Sequence, residues 1–299
     1  SGFTLGPDGR VAEVHPLEVF FNGATGYEVA HMFVAAYMVT GFLVASVYAV
    51  GLLRGRRDRY TRLGFLIPFS VAAAASGLQA VVGDVAARAV LEDQPAKFAA
   101  MELITKTGPN QPETIGGVLI DGKVAWGFAI PDVASLLAGF SPSTVIAGLD
   151  QVPPDQQPPA TIVHLAWNAM VGIGTLLVLL AAWFAITWWR RRDLPGNPWF
   201  LRFAAVAGIA SIVAMEAGWI VTEVGRQPWI VYGFLRTSDA VTHAPGLQLS
   251  LLLTTALYVL LGVATITVLA SMSRRWRKGT MSDADVPYGP PEHPTGTAS

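Results

Sequence analysis

Cysteine is absent from all 299 residues, and that absence excludes a good deal. Disulfides, thiolate nucleophiles, iron–sulfur ligation and zinc-thiolate sites all need a sulfur this chain does not have. Any metal centre is left to His, Met, carboxylate or a cofactor. Charge is scarce too: 14% of residues are Asp, Glu, Lys or Arg, with a net charge of −1. Nothing in that balance points to nucleic acid, and none is expected as a partner. Histidine is limited to five copies. Ser1 to Phe20 is polar, with no apolar h-region or cleavage site, so the opening is not a signal peptide. It reads as a loop entered midway, and an N-terminally truncated chain is the expectation.

What is present is apolar: 52% hydrophobic residues and nine Trp, more than an average soluble domain carries. Five stretches are long enough to cross a hydrocarbon core of about 30 Å, approximately Tyr27–Leu53, Leu63–Ala86, Thr161–Trp189, Phe200–Thr222 and Leu247–Met272. They lack the wide polar stripe of an amphipathic surface helix. The expected fold class is an all-α membrane protein, a bundle of five transmembrane helices with a long external loop between the second and third. The expected divisions are an external segment 1–26, helices one and two in 27–87, the loop 88–160, helices three to five in 161–272, and a disordered tail 273–299. The loop has Gly and Pro punctuation and apolar pieces such as Val124–Ile130, and reads as a partly folded flap.

Arginine sets the expected orientation. Arg54, Arg56, Arg57, Arg59 and Arg62 follow the first span; Arg190, Arg191, Arg192 and Arg202 flank the third connection; Arg274, Arg275, Arg277 and Lys278 follow the fifth span. With an external N-terminus all three clusters share one face, which the positive-inside rule makes cytoplasmic. The loop and Gly225–Gly246 are then external.

Several residues could carry chemistry. His31 lies about one turn inside the first span; a lone helical His is more often a hydrogen-bonded core residue than a ligand, although imidazole in a membrane needs a partner. Met170 on the third span is ordinary core filler by itself. Both spans run the same way, with a depth difference of about 8 Å, and a His–Met pair on parallel helices can hold a six-coordinate haem. Glu216 and Glu223 are seven residues apart on one face of the fourth span, with Trp219 between them. They face either a wet cavity or, in the sharper reading, a haem iron at Glu223 and a propionate at Arg226. Lys97 and Glu102 are five residues apart, so they either sit as solvated charges or flank a small ring that must shed protons on oxidation.

The run Gly218-Trp219-Ile220-Val221-Thr222-Glu223-Val224-Gly225-Arg226-Gln227-Pro228-Trp229 resembles the signature of subunit I of the cytochrome bd quinol oxidases. The His31 segment, Gly83-Asp84, Gln94-Pro95-Ala96-Lys97-Phe98-Ala99-Ala100-Met101-Glu102 and the Met170 segment follow that family's order, so the resemblance covers nearly the whole chain. It implies low-spin haem b held by His31 and Met170, high-spin haem b held by Glu223, and quinol oxidation at Lys97 and Glu102 in a short quinol-binding loop. It further implies a third haem, d or b, at the oxygen site, a subunit II with possible small accessory subunits, oxygen as acceptor and a bacterial plasma membrane. Glu216 is expected to carry protons or stabilise haem charge, with Trp219 and Arg226 beside the haem. Two departures stand out. Asn168 occupies a position, two before Met170, that is often basic in the family. Four further helices, with a His ligand of the oxygen site, are expected upstream of Ser1. Two other readings remain: a non-catalytic membrane protein (a degenerate assembly subunit or a transporter), and a bis-His cytochrome b pairing His31 with His164.

Overall fold

The computed structural model describes residues 2–7 and 10–277. A short antiparallel pair, β1 (Phe3–Leu5) and β2 (Val11–Val14), and one helical turn, α1 (Pro16–Phe20), precede the first long helix, α2 (Thr25–Leu53). The loop after it ends at Asp58, whose carboxylate accepts from Thr61 N–H at 2.8 Å and Thr61 Oγ1 at 2.7 Å and so caps α3 (Arg59–Asp93). The α3 helix runs past the expected limit at Ala86. Its 35 residues span about 52 Å, well beyond a hydrocarbon core, so the polar end carrying Asp84 and Arg88 projects from the apolar zone. Those two side chains pair at 2.9 Å, one turn apart.

The segment between α3 and the next long helix is built throughout. It holds α4 (Pro95–Met101), the antiparallel hairpin β3 (Glu113–Ile120) and β4 (Lys123–Ile130), α5 (Val133–Gly139) and two short 3₁₀ turns. Two antiparallel helices follow, α6 (Ala160–Arg191) and α7 (Pro198–Gly225). Beyond α7, β5 (Trp229–Val231) and β6 (Leu235–Arg236) form a small hairpin. The fifth long helix, α8 (Leu247–Arg277), belongs to a second compact unit that starts at Val241. All five long helices are long and apolar enough to cross a membrane. The expected disordered tail 273–299 begins within α8, which continues to Arg277; from 278 onward it lies outside the described residues.

Within the first unit, α2 packs on α3 and α7, and α6 packs on α7 and α3, which leaves α2 and α6 diagonally opposed. Aromatic rings fill one end of this bundle. Phe69 is their hub: it stacks on Phe65 at 4.9 Å and meets Phe42, Phe184 and Phe200 at 5.5, 4.9 and 5.4 Å. In lipid such close packing, rather than expulsion of water, drives helices together. The arginine-bearing connections close this end, and Arg62 bonds Asp193 across from one connection to the other. A second apolar cluster joins α4 and the loop to the opposite ends of α6 and α7, through Phe98, Met101, Ile146, Val163 and Val221.

Candidate functional site

The loop is seated by α4. Pro95 opens this helix at a position where a missing N–H costs nothing, and Ala96 to Met101 are all buried. Burial extends to charge: Lys97 is 7% exposed and Glu102 is 5% exposed. The Lys97 stem crosses Gly225, the last residue of α7, where an added Cβ would lie 3.1 Å from Lys97 Cγ. Only glycine admits that approach without displacing the lysine. Burial pushes the Lys97 ammonium below its ordinary range; Glu28 opposes that shift, Arg226 adds to it and Glu223 opposes it. The loop lysine thus shares a charge cluster with the first turn of α2 and the mouth of α7. A second tie comes from Arg236, which bonds Asp155 of the loop at 2.7 Å and holds that carboxyl below its usual value.

Glu102 faces other partners. Burial raises its carboxyl well above the ordinary 4.5, with the nearby Glu113 charge as the next cause, while Trp167 acts in the opposite direction. Burial raises Glu113 too, and neighbouring His164 counters it. Burial thus favours the neutral form of both carboxyl groups. Lys97 and Glu102, at the two ends of α4, thus have different neighbours: Lys97 lies with Gly225, Glu28, Glu223 and Arg226, and Glu102 with Glu113 and Trp167.

Glu113 opens β3, and that strand is held by α6 through a stripe of side chains. Thr161 Oγ1 accepts from Leu119 N–H at 2.9 Å, and Asn168 Oδ1 accepts from Gly116 N–H at 2.7 Å. Between them His164, fully buried, places Nε2 2.8 Å from Gly116 O and Nδ1 2.6 Å from Met101 O. Gly116 turns both peptide groups to the helix at φ +66°, a conformation glycine adopts freely. The bis-His reading is corrected here: both His164 nitrogens are engaged by backbone carbonyls, and neither is left for iron. Asn168, where the resemblance anticipates a basic residue, is likewise committed to the hairpin.

His31 and Met170 sit on the diagonal helices, beyond the aromatic core. His31 Nε2 is 2.9 Å from Gln79 Nε2, and Gly83 leaves room beside it, since an added Cβ there would stay 3.8 Å away. The Met170 sulfur lies 2.8 Å from where a Cβ on Gly218 would be. Among the described residues the buried side-chain polar atoms without a partner are Tyr27 Oη, Gln79 Oε1, Glu102 Oε2 and Trp229 Nε1, all at the loop-bearing end. These residues fit a haem: a neutral nitrogen donor, a thioether, small residues beside both and unpartnered polar atoms nearby. Glu216, Trp219 and Glu223 share an exposed face of α7, as their spacing requires, and Arg226 approaches Glu223 at 3.5 Å.

Residues 1–277 match the family described as cytochrome bd terminal oxidase subunit I. The chain belongs to this family. Its bd-family relatives include the putative cytochrome bd menaquinol oxidase subunit I of Bacillus subtilis (strain 168), 34% identical over 275 residues, covering 90% of this chain and 62% of that protein. The cytochrome bd ubiquinol oxidase subunit 1 of the same organism is 27% identical over 304 residues, covering 96% and 64%. The solved bd oxidase from Geobacillus thermodenitrificans superposes with a TM-score of 0.82 at 34% identity, covering 92% of this chain and 63% of that one. This bd-family chain therefore spans about three fifths of the length of the relatives it matches. Haem is expected of the family. Glu113 and Thr161 were missed by sequence reasoning, and His164 entered it only as an alternative haem ligand; the spacing of Thr161, His164 and Asn168 along one helix face was the available signal.

Proposed function

We propose that this chain is the quinol-oxidising, haem-bearing part of subunit I of a bd-type terminal oxidase in a bacterial plasma membrane. The observation that carries the reading is Lys97, sealed against Gly225 beside Glu223 and Arg226. It joins the loop to the end of the helix that bears the family signature. The arginine end of the bundle faces the cytoplasm and the loop end faces outward. Subunit II and small accessory subunits complete the assembly, and oxygen is the final acceptor.

His31 and Met170 would hold a low-spin haem b and Glu223 a high-spin haem b, with Arg226 towards a propionate and Trp219 and Glu216 along the same face. A third haem, d or b, belongs to the oxygen site. Such haems supply one-electron acceptance, and the thioether ligand raises the potential. The chain's own residues handle the rest. Quinol releases two electrons and two protons as it becomes quinone. Lys97 steadies a developing oxyanion, and Glu102 and Glu113, whose carboxyls burial makes more basic, are placed to accept a proton from the quinol.

Reduced-minus-oxidised spectra and a pyridine haemochrome assay on the purified assembly test the reading. Haem b is expected, with the low-spin signal lost in His31→Ala and Met170→Ala and the high-spin signal lost in Glu223→Ala. A folded assembly without haem sinks the proposal. Lys97→Ala and Glu102→Ala are expected to keep their haem and lose quinol oxidation by roughly 100-fold.

A further inference from the structure

Far from the quinol loop, the arginine end of the bundle carries a cavity of about 360 Å³ between the start of α3 and the end of α6. Arg57, Arg59, Arg62 and Arg192 line it, and Asp193 is its sole carboxylate. That carboxylate is taken by Arg62, and the adjacent Asp58 is occupied in capping α3. Three guanidinium groups thus face the cavity with no carboxylate paired to them among the described residues. Arg192 sits at φ +52°, a left-handed position where α6 ends and where glycine is the usual occupant. A strained backbone that sets an arginine on a cavity wall is a pointer to function.

The second observation is independent of charge. A cavity of about 470 Å³ follows the same two helices deeper into the apolar zone, between Ala73, Ala74 and Gly77 on α3 and Ala181, Ala182 and Ala185 on α6. Trp188 belongs to the walls of both cavities, so the two adjoin at its ring and together form a groove along α3 and α6. From Leu63 to Gly77 the groove follows α3 for about 21 Å, more than the depth of one leaflet's hydrocarbon, about 15 Å. Its head is cationic, its neck is an aromatic ring of the type that favours the membrane interface, and its body is a trough of small apolar side chains.

We propose that this groove is a binding site for an anionic phospholipid. The phosphate is held by Arg57, Arg59 and Arg192, and one acyl chain lies along the alanine trough between α3 and α6. A zwitterionic lipid offers the same chain, but its ammonium is repelled by the cationic head. Free phosphate satisfies the arginines and leaves the trough empty. The site is separate from the quinol chemistry, so it stands whether or not that reading holds.

The test uses the assembled complex, purified and stripped with detergent, then exposed to vesicles of phosphatidylglycerol or of phosphatidylethanolamine, or to inorganic phosphate. Native mass spectrometry and lipid extraction read what is retained. Retention of phosphatidylglycerol over phosphatidylethanolamine is expected. In the triple variant Arg57→Gln/Arg59→Gln/Arg192→Gln, phosphatidylglycerol affinity is expected to fall by roughly a hundredfold. Ala74→Leu/Ala182→Leu keeps the arginines and fills the trough; it is expected to lose the lipid while the haem spectrum stays intact. Equal retention of the two lipids, or retention unchanged in both variants, overturns the proposal. So does displacement of the lipid by millimolar inorganic phosphate, which marks the arginines as a simple anion site.

Discussion

Glu102 holds a carboxyl in a nearly sealed position, and its energetics have a definite sign. Its folded pKa lies above the unfolded one, so its contribution to stability is present at low pH and is lost as pH rises through the folded pKa. Thermal unfolding of the assembly as a function of pH is expected to decline from about pH 4.5 upward, and Glu102→Gln is expected to flatten that decline. Glu113 is the second cause of the shift. Removing its charge in Glu113→Gln lowers the Glu102 pKa, so the corresponding limb of the pH–rate profile for quinol oxidation moves to lower pH. Gly225→Val is expected to displace Lys97 and lower quinol turnover about tenfold or more without loss of haem, since even a Cβ would lie 3.1 Å from Lys97 Cγ. Lys97 and Glu102 were legible in the sequence because one short motif carries both. Glu113 was not, because only a chain reversal brings it to Glu102.

At the level of elements, the long helices declared themselves through length and hydropathy, and α3 overran its expected end furthest, by seven residues against five for α8. A helix leaving lipid keeps its backbone bonds in water, so the apolar boundary and the helix boundary need not coincide. The β3–β4 hairpin was passed over although it carries a turn signal: Asp121 and Gly122, both at positive φ, join Ile120 and Lys123. Mixed composition on either side masked it. Its docking depends on α6 side chains meeting strand backbone. Asn168→Ala leaves the Gly116 N–H without its acceptor and is expected to cost about 1–3 kcal/mol locally. Hydrogen exchange over residues 113–130 checks this: protection is expected to drop there and to stay unchanged in the aromatic core around Phe69.

At the scale of the whole first unit, α7 presents a carboxylate-bearing face that the helices packed with it leave open. Trp219 is 64% exposed, with Glu216 and Glu223 on either side of it along a membrane helix. Carboxylates in contact with lipid tails are costly, so this face calls for a protein or cofactor cover. A photo-activatable side chain at position 219 is expected to cross-link protein in the assembled oxidase; adducts with lipid alone contradict that. The sequence showed the carboxylate pair on one helix face, but not that the four long helices of the first unit leave that face uncovered. The hairpin, by contrast, is anchored along β3 while β4 stays exposed, Trp126 by 87%: α6 grips it through main-chain N–H and carbonyl groups of β3, which every non-proline residue supplies. Beyond Glu113 and Gly116 its side chains are therefore free to drift, and the rest of the hairpin can change while its anchor on the helix persists. Side-chain variation can accumulate there without the bundle having to be rebuilt.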